Sequence, residues 1–188
     1  MSSRLSDEEL SQALEQLFLA RGFRNLSLKE MASELGCSYR RLYAIAPSKE
    51  ALFLTIIARF FSRVKKEGWR RAATDSPLTD RIRDYLRVGI EAALRAGPEF
   101  NEDIAGFEAG RILFDEFQAE RIDGLKALVD EGISDGQFDG FHSQLVAEVM
   151  IQAVRRIRSP EFLARSGLTF ADGLSELSRL IRFGLLKR

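Results

Sequence analysis

The chain is expected to be all-α: an N-terminal three-helix helix-turn-helix domain joined to a C-terminal helical domain, about nine helices in total. Three observations carry this. Apolar residues recur at three- and four-residue spacing in nearly every segment, as one face of a helix requires. Helix start signals stand ahead of those segments, with Ser6 followed by Glu9 and Ser27 followed by Glu30 as capping boxes. No stretch alternates apolar and polar residues with the period of two that a half-buried strand needs, and there is no internal repeat or low-complexity segment.

The elements follow in order. Leu10, Leu14, Leu17 and Phe18 share one face of a first helix that Gly22 stops. A short second helix opens at Ser27, buries Leu28, Met31, Ala32 and Leu35, and ends at Gly36. A third starts at Ser38, runs through Leu42 and Tyr43, and must end near Pro47, which cannot donate to the helical ladder. A long fourth helix, opened by Ser48, spans Lys49 to about Arg71. Ser76-Pro77 is an N-cap with proline in the first turn, and residues 78–96 form a helix closed by Gly97-Pro98. From Glu99 to about Glu131 the apolar spacing stays helical, with Gly106 and Gly110 as places for a break. Gly132 and Gly136 mark a turn, and helices near 141–158 and 171–186 follow, separated by a loop around Ser159-Pro160 and Gly167.

Bulk properties bound the function. The 188 residues are 45% hydrophobic and 30% charged, enough for a substantial core without a disulfide, which the single Cys37 could not form. The first ten residues carry acids where a secretory leader needs an apolar run, and the apolar stretch near Ala51–Ala58 is far below the ~20 residues of a membrane span. A cytoplasmic protein with no membrane partner is therefore expected. Net charge is zero, yet residues 1–70 hold 12 Lys and Arg against 8 Asp and Glu, while the remainder holds 16 against 20. A polyanion-binding end on an acidic remainder has this pattern, and so does chance segregation of solvated charge.

Residues 27–43 carry the chemistry. Two short helices about a glycine turn make a helix-turn-helix, in which Gly36 takes the positive φ of the turn and Ala32 permits close approach of the helices. The second helix offers Tyr39, Arg40 and Arg41 in its first turn and a half, where side chains reach base edges in a major groove. Arginine can bond guanine O6 and N7 with two parallel hydrogen bonds. Ser38 can cap that helix or touch a phosphate. The competing reading of Tyr-Arg-Arg is an ordinary solvated helix face.

These residues resemble a known family. Ala13, Leu17-Phe18, Gly22-Phe23, Ser27, Met31-Ala32, Gly36-Cys37-Ser38, Leu42-Tyr43 and Pro47-Ser48-Lys49-Glu50-Ala51-Leu52 are similar to the DNA-binding signature of the TetR (tetracycline-repressor-like) transcriptional regulators. The resemblance covers about the first 60 residues; beyond them, Glu131-Gly132 to Gly136-Gln137-Phe138 resembles a hinge common in the family. It implies that Ser27 holds a phosphate with its N–H and hydroxyl groups, that Tyr39, Arg40 and Arg41 read bases or adjacent phosphates, that Tyr43 anchors to the backbone, and that Lys49 makes a further phosphate contact. The sequence departs from the family pattern at Ala44-Ile45-Ala46, where an aromatic or histidine followed by phenylalanine is usual.

The resemblance also implies a second domain that binds a small-molecule effector of unknown identity and pairs with a second copy. Phe100, Phe107, Phe114 and Phe117, with Arg111 as a polar contact, are candidates to line the pocket, although an aromatic stripe at helical spacing is more often core. Leu145, Val149, Ala153, Leu177 and Ile181 lie on terminal helices apolar on more than one side, which burial against a second copy would satisfy, as would burial against the pocket helices. The expected division is 1–48 for the DNA reader, 49–72 for a connecting helix and 73–188 for effector binding and dimerisation.

The function expected is a ligand-responsive regulator, a repressor that binds a pseudo-palindromic double-stranded DNA operator as a homodimer and is released by a small molecule. An adaptor of the same fold with weakened DNA binding is the alternative, favoured by Ala44-Ile45-Ala46. An enzyme is not expected, nor a cofactor or metal: the single His142 has no partner in sequence, no Cys/His cluster has zinc spacing, and Gly106 and Gly110 follow no strand.

Overall fold

The computed structural model describes residues 5–138 and 142–185. Among them lie ten helices and no strand: α1 (Asp7–Arg21), α2 (Leu28–Glu34), α3 (Tyr39–Ile45), α4 (Lys49–Ala72), α5 (Leu78–Leu94), α6 (Pro98–Gly106), α7 (Glu108–Ser134), α8 (Ser143–Ile157), α9 (Pro160–Ser166) and α10 (Phe170–Leu185). The tenth helix is α9. Its segment was expected to be a loop because of its proline and glycine, but Pro160 sits in the first turn behind an N-capping Ser159, and Gly167 ends the helix at φ 71°. The 99–131 span is two helices, broken at Phe107, whose backbone is extended at φ −142° and ψ 149°.

The chain forms two compact units, Met1–Arg63 with Arg95–Asp115 and Val64–Leu94 with Glu116–Arg188. In the first unit both capping boxes form, Ser6 with Glu9 and Ser27 with Glu30. Leu10, Leu14 and Phe18 of α1 are buried together with Met31, Leu42, Leu52, Phe53, Ile56 and Ile57. An aromatic cluster fills the middle: Phe53 stacks on Phe23 at 4.3 Å, meets Phe18 edge-on at 5.3 Å, and has Phe100 at 5.9 Å and Phe107 at 6.1 Å. Helix α6 packs on α1, and the Gly97 N–H donates to the Leu19 carbonyl at 2.8 Å.

The chain turns out of α1 at Gly22, with φ 65° and its N–H bonded to the Phe18 carbonyl. Asp103 of α6 then accepts the next two backbone N–H groups, Phe23 at 2.5 Å and Arg24 at 3.1 Å. Buried Glu15 of α1 is held by Arg63 and by Arg95 at 2.9 Å.

In the second unit α10 packs along α5 and touches α8, which also meets α9. Tyr85, Ile82, Leu125, Leu128 and Val129 are buried there. Arg81 of α5 pairs with Glu131 of α7, and Arg71 of α4 with Glu91 of α5. No helix among the described residues is long and apolar enough to cross a membrane.

Candidate nucleic-acid interface

Helices α2 and α3 are seven residues each and pack on one another about the turn at Gly36. Gly36 has φ 58°, and the Cys37 N–H donates to the Ala32 carbonyl at 2.9 Å. Ala32 and Met31 are buried from α2 and Leu42 from α3, so this pair of short helices has an inner side that cannot turn to solvent. The cost of exposing those residues fixes what is left outside. Downstream of Leu42, where the family's phenylalanine is missing, Ala46 is buried and Ile45 half-buried.

The outer side of α3 carries Tyr39, Arg40 and Tyr43, all exposed. The two tyrosines are one helical turn apart, their rings edge-to-face at 5.0 Å and their hydroxyls 3.4 Å from each other. The contact raises the Tyr39 phenol above its ordinary range, chiefly through the bond to Tyr43, so Tyr39 keeps its proton. Arg41 is turned the other way. Its side chain is only 12% exposed and its Nη2 lies 2.6 Å from Asp7 of α1, which ties α3 to the first turn of α1.

Ser27 spends its N–H on the Glu30 carboxylate at 2.7 Å and accepts the Glu30 N–H at 3.2 Å, which leaves the hydroxyl proton for an acceptor. Ser38 precedes α3 with no side-chain capping bond, and it is exposed. Lys49 opens α4 with its ammonium on the Arg24 carbonyl at 3.0 Å and 5.5 Å above the Phe23 ring. Ser27, Ser38, Tyr39, Arg40, Tyr43 and Lys49 thus belong to one small unit, and only Arg41 is largely covered. Cys37 is half-buried, and burial pushes its thiol up, away from reactive thiolate.

The family model for bacterial regulatory proteins of the tetR family matches residues 10–56, the span that contains α2, the turn and α3. The helix-turn-helix is thus similar to that of the tetR-family regulators. It is 24% identical to the uncharacterised HTH-type transcriptional regulator YdgC of Bacillus subtilis, over 97% of this chain and 94% of that one. Two solved structures share the TetR fold over almost all of both chains. A protein of Saccharomonospora viridis in complex with choline has a TM-score of 0.71 at 16% identity, covering 97% of this chain and 98% of its own. The transcriptional regulator FadR of Bacillus subtilis in complex with stearoyl-CoA has a TM-score of 0.70 at 10% identity, covering 96% of this chain and all of its own. The chain is a transcriptional regulator with a DNA-binding helix-turn-helix of this type.

The candidate effector residues fall in both units. Phe100 and Phe107 are members of the aromatic cluster of the first unit, and Phe114 of the same unit meets Phe61 edge-on at 5.9 Å. Arg111 is exposed and donates to the Ala105 carbonyl at 3.1 Å. Phe117 alone lies in the second unit, 6.0 Å from the guanidinium of Arg121.

Of the candidate dimer residues, Leu145 and Val149 are exposed on α8 and Ala153 is half-buried, whereas Leu177 is buried and Ile181 half-buried on α10. On α10 Leu180 and Phe183 are exposed, at 69% and 66%. Sequence periodicity gathers both into the apolar set of α10 with Leu177 and Ile181 but cannot tell which of them face solvent. It missed Asp7 and Asp103, whose partners are more than 30 residues away in the chain.

Proposed function

We propose that the protein is a ligand-responsive repressor that binds a pseudo-palindromic operator as a homodimer and is released by a small molecule. The observation that carries this reading is the sorting of α3: Leu42 is sealed inside while Tyr39, Arg40 and Tyr43 stand in solvent on a helix held by Asp7 and Arg41. A recognition helix needs that combination, a fixed inner side and a polar, cationic outer side that fits a major groove.

Arg40 and Tyr39 meet base edges. Ser27, Ser38, Tyr43 and Lys49 meet phosphates, Lys49 by exchanging the Arg24 carbonyl for a phosphate oxygen. Arg41 acts mainly by holding α3 on α1. Two copies joined through α8 and α10 place two such helices in successive major grooves, about 34–36 Å apart. The exposed Leu145, Val149, Leu180 and Phe183 support that pairing, since contiguous exposed apolar residues mark interaction surfaces.

The first unit reads DNA, and the second binds the effector and dimerises. The ligand complexes of the fold neighbours, with choline and with stearoyl-CoA, support an effector for this chain without specifying it. Helices α4 and α7 each contribute residues to both units, so a ligand-dependent change in the second has continuous backbone through which to reach the first. The working compartment is the cytoplasm.

The test is the salt dependence of DNA binding. Parent protein should lose affinity steeply and log-linearly with salt, and Lys49→Ala should flatten the slope by about one unit while weakening all sequences alike. A shallow slope in the parent, unchanged by Lys49→Ala, would favour an adaptor over a repressor.

A further inference from the structure

The second unit buries an ionised side chain with no opposite charge beside it. Arg121, in the middle of α7, is 6% exposed. Its Nη2 donates to the Tyr85 carbonyl at 3.0 Å, and the Tyr85 hydroxyl donates back to the Arg121 carbonyl at 2.8 Å. The guanidinium lies 4.9 Å from the Tyr85 ring centroid and 6.0 Å from that of Phe117. Its Nη1 is buried without any acceptor. Burial pushes the group down from the ordinary arginine range, with no carboxylate acting against it, yet an arginine this basic keeps its proton.

The other buried ionised side chains among the described residues are answered differently. Glu15 has two arginines, and Asp103 has two backbone N–H groups with Arg24 3.7 Å away. Arg121 has one neutral carbonyl. A buried cation normally comes with a paired anion, because the low-dielectric surroundings penalise it otherwise.

The surroundings keep other groups off the guanidinium. Gly89 of α5 and Gly68 of α4 face it, such that an added Cβ would stand 2.9 Å from Nη2 and 3.2 Å from Nη1. Gly124 of α7 lies against Tyr85, and an added Cβ there would clash with the Tyr85 hydroxyl and stand 3.1 Å from the Trp69 ring. The walls are therefore backbone and the faces of Tyr85, Phe117 and Trp69. Trp69 meets Tyr85 edge-on at 5.5 Å and is 46% exposed, which makes it the side chain placed to move and open a path.

We propose that Arg121 anchors an effector site in the second unit, and that the effector is a small, singly charged carboxylic acid whose carboxylate takes Nη1 and whose apolar body lies on Tyr85, Phe117 and Trp69. The inference deepens the regulator reading and rests on it only in calling the ligand an effector. One guanidinium neutralises one negative charge, so a phosphate dianion would leave a buried charge over. A quaternary ammonium would set like charges side by side. In the present closed arrangement Nη1 is unsatisfied, so the acid stabilises an opened arrangement over this one, which is the differential binding that a ligand-driven switch requires.

Trp69 is the only tryptophan in the sequence, so intrinsic fluorescence reports on this site. The full-length protein, without DNA, is titrated with benzoate and octanoate, with benzamide and octanamide, with octyltrimethylammonium, and with inorganic phosphate. The acids should change Trp69 emission saturably, bind at least tenfold more tightly than their amides, and outcompete the ammonium and phosphate. Arg121→Met should remove acid binding by at least tenfold in a folded protein, since it deletes an uncompensated charge. Gly89→Ala, which keeps the charge and crowds the guanidinium, should weaken it as well and serves if Arg121→Met does not fold. Acids no better than amides, preference for phosphate or ammonium, no response to either acid, or undiminished acid binding in these variants would overturn the proposal. Acid binding that leaves DNA affinity unchanged would instead refute ligand-controlled release and leave the site standing. DNA binding without acid binding would do the reverse.

Discussion

Asp103 is the residue through which α6 holds the chain leading into the helix-turn-helix, and Asp103→Ala should loosen both. Its Oδ2 accepts the Phe23 N–H at 2.5 Å and the Arg24 N–H at 3.1 Å, and the carboxylate is 9% exposed. Hydrogen bonds to charged groups contribute roughly 1.5–3 kcal/mol each. The Phe23 N–H is buried and would keep no acceptor, so its bond is lost in full, whereas water can replace the partner of Arg24. The Arg24 ion pair, half in solvent, adds about 0–1 kcal/mol. Recovered desolvation of the carboxylate offsets part of this, leaving a net loss of about 2–4 kcal/mol. That is a large share of the ~5–15 kcal/mol typical of a folded protein. Asp103→Asn keeps an acceptor and should lose about half as much. Urea unfolding followed by helical circular dichroism measures both variants, and an Asp103→Ala protein within about 0.5 kcal/mol of the parent would refute the assignment. Because Phe23 and Arg24 also contact Lys49, DNA affinity should fall in the same variant.

Three further outcomes are expected. Arg40→Ala should relax sequence preference at one base position per half-site, whereas Arg41→Ala and Asp7→Asn should lower affinity alike and leave preference intact, as a binding-site selection would show. The carboxylates of Glu9 and Glu30 are held below the ordinary 4.5, Glu9 chiefly by the Ser6 N–H and Glu30 chiefly by the Ser27 side chain. Their folded-state values are depressed, so their support is complete above about pH 4.5 and fades as pH falls through the lower values. A Glu9→Gln/Glu30→Gln protein should therefore lose less melting temperature than the parent between pH 5 and pH 3, and equal losses would contradict this. Leu145→Glu with Phe183→Glu should give a stable monomer by light scattering, while Leu177→Ala should cost about 2–5 kcal/mol of stability, because Leu177 is core.

How far the sequence could be read depended on the range of the interaction involved. Capping boxes, the Gly22 and Gly36 turns and the inner residues Met31, Ala32 and Leu42 act within a few positions, and all were legible. Gly106 marked a place for the break beside Phe107, but not its purpose, since the extended backbone there places the ring on Phe23, far away in the chain. The α9 helix was hidden because proline signals both a loop and a first turn. Arg40 and Arg41 could not be told apart, since adjacent residues point about 100° apart on a helix and only Asp7 decides which one turns inward. The phenylalanines at 100 and 107 read as core more readily than as pocket, and both lie beside Phe53, Phe100 buried and Phe107 half-buried. Arg121 had a signal that went unused: it interrupts the apolar register of Phe114, Phe117, Leu125 and Leu128.

In the proposed repressor two copies present Tyr39 and Arg40 to one operator. Purified protein incubated with fragmented genomic DNA at near-physiological salt, followed by sequencing of the retained fragments, tests it most directly. Enrichment of an inverted repeat with half-sites about one helical turn apart is expected, with one base position per half-site relaxed in Arg40→Ala. A folded, dimeric parent protein that enriches no sequence over the input DNA would contradict it.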